Sequence, residues 1–156
     1  MELRTGSAET TLDPKGRVSI PVRFRDQYQG QLVITRSMEK CLWVMTAPVW
    51  ERYEQGLRSS SKAEDQNYKE WNILEYTIIG QAQGVELDNA GRIAIPSTLR
   101  KYANLSNEGK DCIIINGRNR LSIWDSETFE AYCAENEPFA QVAMNKLAAQ
   151  EVFRTG

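Results

Sequence analysis

The chain has 156 residues, 41% of them hydrophobic and 26% charged, with a formal net charge of −2. That is the make-up of one ordinary globular domain, or of two small ones sharing a core. It has no histidine and only three scattered cysteines, no GxxxxGK[ST] or GxGxxG string, and no apolar run near the roughly 18 residues of a membrane span; these absences argue against an enzyme, a metal site, a bound cofactor, a small-molecule substrate and a membrane partner.

The opening "MELRTGSAET" lacks the apolar stretch of a signal peptide, so a cytosolic chain is expected. Cys41, Cys112 and Cys133 form no CxxC pair and read as reduced core thiols. A short strand at Thr10–Leu12 leads into the turn Asp13-Pro14-Lys15-Gly16. Asp at the first position can accept backbone N–H bonds, Pro presets φ at the second, and Gly at the fourth tolerates positive φ. The sequence therefore predicts a hairpin with a glycine bulge, returning along Arg17–Ile20. Alternation puts Val18 and Ile20 on one face of that strand, and Arg17 and Ser19 on the other.

Pro21 opens a short helix, "VRFRDQY", at the position where its missing N–H costs nothing. Two apolar strands follow, "QLVIT" and "CLWVM", and then an amphipathic helix from Pro48. "RSSSKAEDQ" (58–66) reads as a polar linker. Beyond it lies a helix with Tyr68, Trp71, Leu74 and Ile78 on one stripe, read as core packing or alternatively as a contact between subunits. Trp43, Trp50, Trp71 and Trp124 sit in apolar contexts and read as core.

The pattern then starts again. "LDNAGRIAIP" (87–96) repeats "LDPKGRVSIP" (12–21), and over 12–25 against 87–100 the identities include Asp13/Asp88, Gly16/Gly91, Arg17/Arg92, Pro21/Pro96 and Arg25/Arg100. The second copy predicts a strand at Val85–Leu87, a return strand at Arg92–Ile95, a helix "STLRKYA", and strands "CIIIN" and "LSIWD". Four extra residues near "NLSNEGK" (104–110) bring "RLSIWDSETFEAY" into line with "CLWVMTAPVWERY". The copy closes on a helix from Ser126, and "FAQVAMNKLAAQEVF" (139–153) reads as a further helix. A unit of about 45 residues is near the lower limit for folding alone, so the two copies are expected to complete each other's core.

Charge is uneven. Residues 1–45 carry seven basic and five acidic side chains, whereas residues 125–156 carry two and six. A local basic face at Lys15, Arg17, Arg23 and Arg25 suits DNA with few phosphate contacts per chain. Arg17 and Arg92, placed just after the turn glycines, offer planar forks that can pair with guanine O6 and N7. Lys15 at the first apex would meet phosphate, and Arg23, Arg25 and Arg100 could add backbone contacts. Asp13 and Asp88, with Gly16 and Gly91, brace the turns. The competing reading makes Asp13–Arg17 and Asp88–Arg92 plain ion pairs, and Arg25 and Arg100 bridges to the other repeat.

Doubled Asp-x-x-x-Arg hairpins, each followed by an apolar strand and Pro, with Trp-containing strand ends, resemble the MraZ family over roughly residues 8–135. These are bacterial regulators built from two SpoVT-AbrB-type repeats. The resemblance implies an α+β fold, in which two interlocked swapped-hairpin repeats form an intrachain pseudo-dimer with flanking helices. The expected division is a first repeat over 8–54, a linker and helix over 55–82, a second repeat over 83–127 and a C-terminal helical segment over 128–156. It further implies ring-like homo-oligomers, a nucleoid location, and repression at direct repeats in double-stranded DNA upstream of the division and cell-wall gene cluster. The second turn departs from the first in having Asn89-Ala90 for Pro14-Lys15, so it should hold phosphate less strongly. A scaffold or antitoxin-like partner-binding module is the alternative.

Overall fold

The computed structural model describes residues 3–60, 68–117 and 119–150, which fall into two compact units, residues 1–125 and 126–156. In the first unit each repeat contributes four strands. The first repeat has β1 (Gly6–Thr11), β2 (Arg17–Ser19), β3 (Leu32–Arg36) and β4 (Leu42–Thr46). The second has β5 (Gln83–Val85), β6 (Arg92–Ala94), β7 (Asp111–Asn116) and β8 (Leu121–Asp125).

Leading strands change partners between repeats. The six-stranded sheet runs β1-β7-β8-β4-β3-β5, so each repeat's own hairpin of third and fourth strands is edged by the other repeat's leading strand. This order reads the same from both ends, with a pseudo-two-fold axis between β8 and β4. The return strands β2 and β6 pair with one another as a separate two-stranded ribbon, in the register Arg17↔Ala94, Val18↔Ile93 and Ser19↔Arg92. What the sequence presents as a simple hairpin is therefore only a turn. Its amide closure, Asp13 N–H to the Arg17 carbonyl at 2.9 Å, holds the base, and the two arms then diverge to separate sheets. The chain is an α+β pseudo-dimer of interlocked hairpins.

The core lies between the ribbon and the larger sheet. Val18, Ile20, Ile93 and Ile95 from the ribbon side meet Leu32, Ile34, Leu42 and Val44 of one repeat and Cys112, Ile114, Leu121 and Ile123 of the other, all buried. Both repeats thus bury their apolar faces in one shared layer, which overcomes the size limit that either would meet alone. Beside the ribbon run α1 (Val22–Arg25), continued by a 3₁₀ turn at Asp26–Tyr28, and α4 (Ser97–Tyr102). Pro21 and Pro96 stand immediately before them, where no helical N–H is required. The extra loop before β7 packs on the first turn: the Gly109 amide donates to the Leu12 carbonyl and the Leu12 amide to that of Lys110.

Several expectations are corrected. α2 spans Ala47–Ser60, so the polar stretch 58–66 is helical through Ser60, and 61–67 lie outside the described residues. In α3 (Tyr68–Thr77) no residue is buried; of the proposed stripe only Ile78, just beyond it, joins the interior, because no element among the described residues covers the helix's outer face. Trp124 is buried, but Trp43, Trp50 and Trp71 are half-buried, with Arg120 stacked over Trp43 at 3.6 Å and Arg58 near Trp71. Cys41 and Cys112 are buried thiols, whereas Cys133 is exposed. Among the described residues the second unit is a single helix, α5 (Ser126–Ala149), which contains Pro138 and runs through most of the segment expected as a separate tail helix; residues 151–153 of that segment lie outside the described range. No described helix is long and apolar enough to cross a membrane, and no cluster of metal-ligating side chains occurs among the described residues.

Candidate nucleic-acid interface

Val18 and Ile93 point inward from the ribbon, so strand alternation directs Arg17 and Ser19 of one repeat, and Arg92 and Ala94 of the other, to its outer face. Antiparallel pairing across the pseudo-two-fold axis therefore puts two arginines, from positions 75 residues apart in sequence, on one narrow surface. Diagonal neighbours on such a ribbon are separated by about 7–8 Å.

Each arginine is held by the aspartate four residues before it, and both carboxylate oxygens are used. Asp13 Oδ1 accepts the Lys15 amide at 2.9 Å and the Arg17 amide at 2.8 Å, while Oδ2 accepts Arg17 Nε at 2.7 Å. Asp88 repeats the pattern, Oδ1 accepting the Ala90 and Arg92 amides and Oδ2 accepting Arg92 Nε, each at 2.9 Å. One residue type thus shapes the turn and fixes the guanidinium. Asp88 Oδ2 also lies 3.9 Å from Arg17 Nη1, tying the two turns together. For Asp13, burial opposes ionisation, but the Arg17 amide, the Arg17 side chain, the Lys15 amide and the nearby positive charge outweigh it and hold the carboxyl below its usual range. For Asp88 the Arg92 amide is the leading cause, against burial, and the direction is the same.

The side chains of Arg17 and Arg92 retain 25% and 34% of their exposure, so the guanidinium groups are neither sequestered nor loose. Since Nε faces its own aspartate, the Nη1–Nη2 edge is the one turned away from that carboxylate, with Arg17 Nη1 also within 3.9 Å of Asp88 Oδ2. That edge supplies paired donors in the geometry that reads a guanine's major-groove face.

Arg25 and Arg100 occupy a different place. Arg25 Nε donates to the Ile20 carbonyl at 2.7 Å and Arg100 Nε to that of Ile95 at 2.9 Å. Each guanidinium lies over the turn glycine of the opposite repeat, Arg25 on Gly91 and Arg100 on Gly16. Both glycines have φ of +77°, and a Cβ would meet the arginine at 2.2 Å and 2.7 Å respectively. Arg25 and Arg100 thus bridge to the other repeat, as the competing reading of the sequence has them; that the turn glycines are their partners follows from the exchange of turns. Lys15 stands exposed at the first apex, and Arg23 is tied by Nη2 to the Ser7 carbonyl at 2.8 Å and stacks on Phe24.

An interlocked pair of turn-and-ribbon repeats within one chain, with an arginine presented from each, defines a double SpoVT-AbrB-type protein. A family model described as "MraZ protein, putative antitoxin-like" matches residues 3–70 and 78–149. The chain is 36% identical over 142 residues to the transcriptional regulator MraZ of Treponema denticola, covering 89% of this chain and 94% of that protein. It belongs to the MraZ family.

Proposed function

We propose that this chain is a sequence-specific DNA-binding transcriptional regulator without enzymatic activity, acting in the cytoplasm on the nucleoid. Arg17 and Arg92 read base edges, and Lys15 is the leading phosphate contact; Arg25 and Arg100 add to it only through the nitrogens that their bonds to the Ile20 and Ile95 carbonyls leave, while Arg23 is tied to Ser7 and Phe24. The observation that carries this reading is the outward pair of arginines on the two-stranded ribbon, each held through Nε by its own aspartate. A ribbon of two strands is narrow enough for the major groove, and holding the guanidinium beforehand lowers the entropy lost on contact. A relative named as a transcriptional regulator supports the same conclusion.

Two arginines give one chain too few base contacts to find a site in a genome. Side-by-side copies of the chain, as in a ring-like homo-oligomer, would multiply them on an operator of direct repeats, upstream of the division and cell-wall gene cluster and with repression as the outcome. Selection of bound fragments from genomic DNA, repeated with Arg17→Ala/Arg92→Ala, tests the reading. The parent should recover repeated boxes and the variant none. Equal recovery by both would remove the arginines from the reading.

A second reading, a partner-binding scaffold or antitoxin-like module, is favoured by the exposed Phe139, Val142, Met144 and Leu147 of α5. Charge reversal at Arg17 and Arg92 separates the two, since a scaffold keeps its partner.

A further inference from the structure

A head built on a pseudo-two-fold axis faces a difficulty on direct repeats: if its halves were equal, each chain could sit on a box in either of two orientations. The halves are not equal, and the hairpin exchange makes their differences add. Because the first turn lies against Arg100, its flank of the head is completed by α4; the second turn lies against Arg25, and its flank is completed by α1. Lys15 at the first apex is matched by Ala90 at the second. Lys101 on α4 is matched by Asp26 after α1, and both are exposed. Behind the helices, Arg36 and Asn116 hold equivalent positions, each paired to the first leucine of the following strand. Arg36 stacks on Tyr102 at 4.1 Å, with Lys40 over the same ring at 4.6 Å. Asn116 instead donates to Gln27 Oε1 at 3.0 Å. Arg23, matched by Thr98, runs the other way, and its guanidinium is committed to Ser7 and Phe24.

We infer that the head is polar: the flank made of the first turn and α4 grips the DNA backbone, and this sets a single orientation of the chain on every box. The inference rests on the DNA-binding reading above. Without the exchange, Lys15 would sit beside Asp26 and the asymmetry would largely cancel; with it, Lys15 and Lys101 act on the same side.

The test is directed cleavage. An iron-EDTA reagent is attached, in a Cys133→Ser background, to Pro14→Cys or to Asn89→Cys, and bound to the repeated-box duplex recovered in the selection. The probe at position 14 should cut on one side of each box and the probe at position 89 on the other. Exchanging the charges with Lys15→Ala/Ala90→Lys/Asp26→Lys/Lys101→Asp should reverse the pattern. In a parallel salt titration of the intact oligomer, Lys15→Ala/Lys101→Ala should lower the slope of log K against log salt by about 0.9 for each phosphate contact removed. Equal cutting on both sides from each probe, or an unchanged slope, overturns the proposal while leaving DNA binding standing. A parent chain that retains no genomic fragment overturns both.

Discussion

The guanidinium of Arg25 lies on the turn glycine of the other repeat, Gly91, so closely that an added methyl group would come within 2.3 Å of Cζ. At φ of +77° Gly91 also occupies backbone that an L side chain adopts only with strain. Gly91→Ala should therefore cost about 1–2 kcal/mol for conformation. Displacing Arg25 adds the loss of its 2.7 Å bond to the Ile20 carbonyl, about 1–3 kcal/mol. Denaturant unfolding should show a lower midpoint. In Arg25→Ala the steric part disappears, so Gly91→Ala should cost less there than in the parent. Strict additivity of the two changes would mean that the arginine is not what the methyl group meets.

Acid should loosen the two turns. Asp13 and Asp88 have their pKa values lowered in the folded chain, so the folded state prefers their ionised forms. Their contribution is present above the ordinary carboxyl range, near pH 4, and is lost as pH falls through the lowered values. In Asp13→Asn/Asp88→Asn the amide oxygen can still accept the turn amides, but the charge on Oδ2 that holds arginine Nε is gone. A melting series from pH 7 to pH 3 should show a shallower decline for the double variant than for the parent. A decline of equal steepness would place the acid sensitivity elsewhere.

How much of this was legible follows from what each feature depends on. Asp, Gly and Pro have backbone roles set within a few residues, so the turns at 13–16 and 88–91 and the helices after Pro21 and Pro96 can be read locally. The duplication is a comparison of the chain with itself and is equally accessible. Pairing partners are different. Nothing local to Gly6–Thr11 states that it joins β7 rather than its own return strand, and the meeting of Arg25 with Gly91 is a consequence of that choice. Exposure of α3 and of Cys133 escaped for the same reason. An apolar stripe or a thiol announces that it could be covered, while the element that would cover it is set by tertiary structure.

The three cysteines should separate cleanly by reactivity. Cys41 and Cys112 are buried, and burial is the leading cause that pushes each thiol up to about 11, so almost no thiolate forms at pH 8. Cys133 is exposed on α5. A disulfide reagent at pH 8 should titrate one thiol per chain quickly and the other two only on unfolding. Cys133→Ser should abolish the fast phase. Fast reaction of all three would show that the interior opens on the timescale of labelling.

Unfolding should take the two repeats together. Ile93 lies at the middle of the ribbon, fully buried and opposite Val18, so its side chain belongs to the interior of both repeats at once. Truncation to alanine removes buried carbons and leaves space that neither sheet can close alone, at a cost of about 2–5 kcal/mol. With a shared core the loss cannot be confined to the second repeat, because β5 edges the first repeat's β3 and β1 edges the second repeat's β7. Hydrogen exchange of Ile93→Ala should therefore show protection falling by a similar factor in β3 and in β7, with one denaturation transition for the residues up to 125. Two separated transitions, with β3 protected as in the parent, would mean that each repeat folds on its own foundation and that the interlock is superficial.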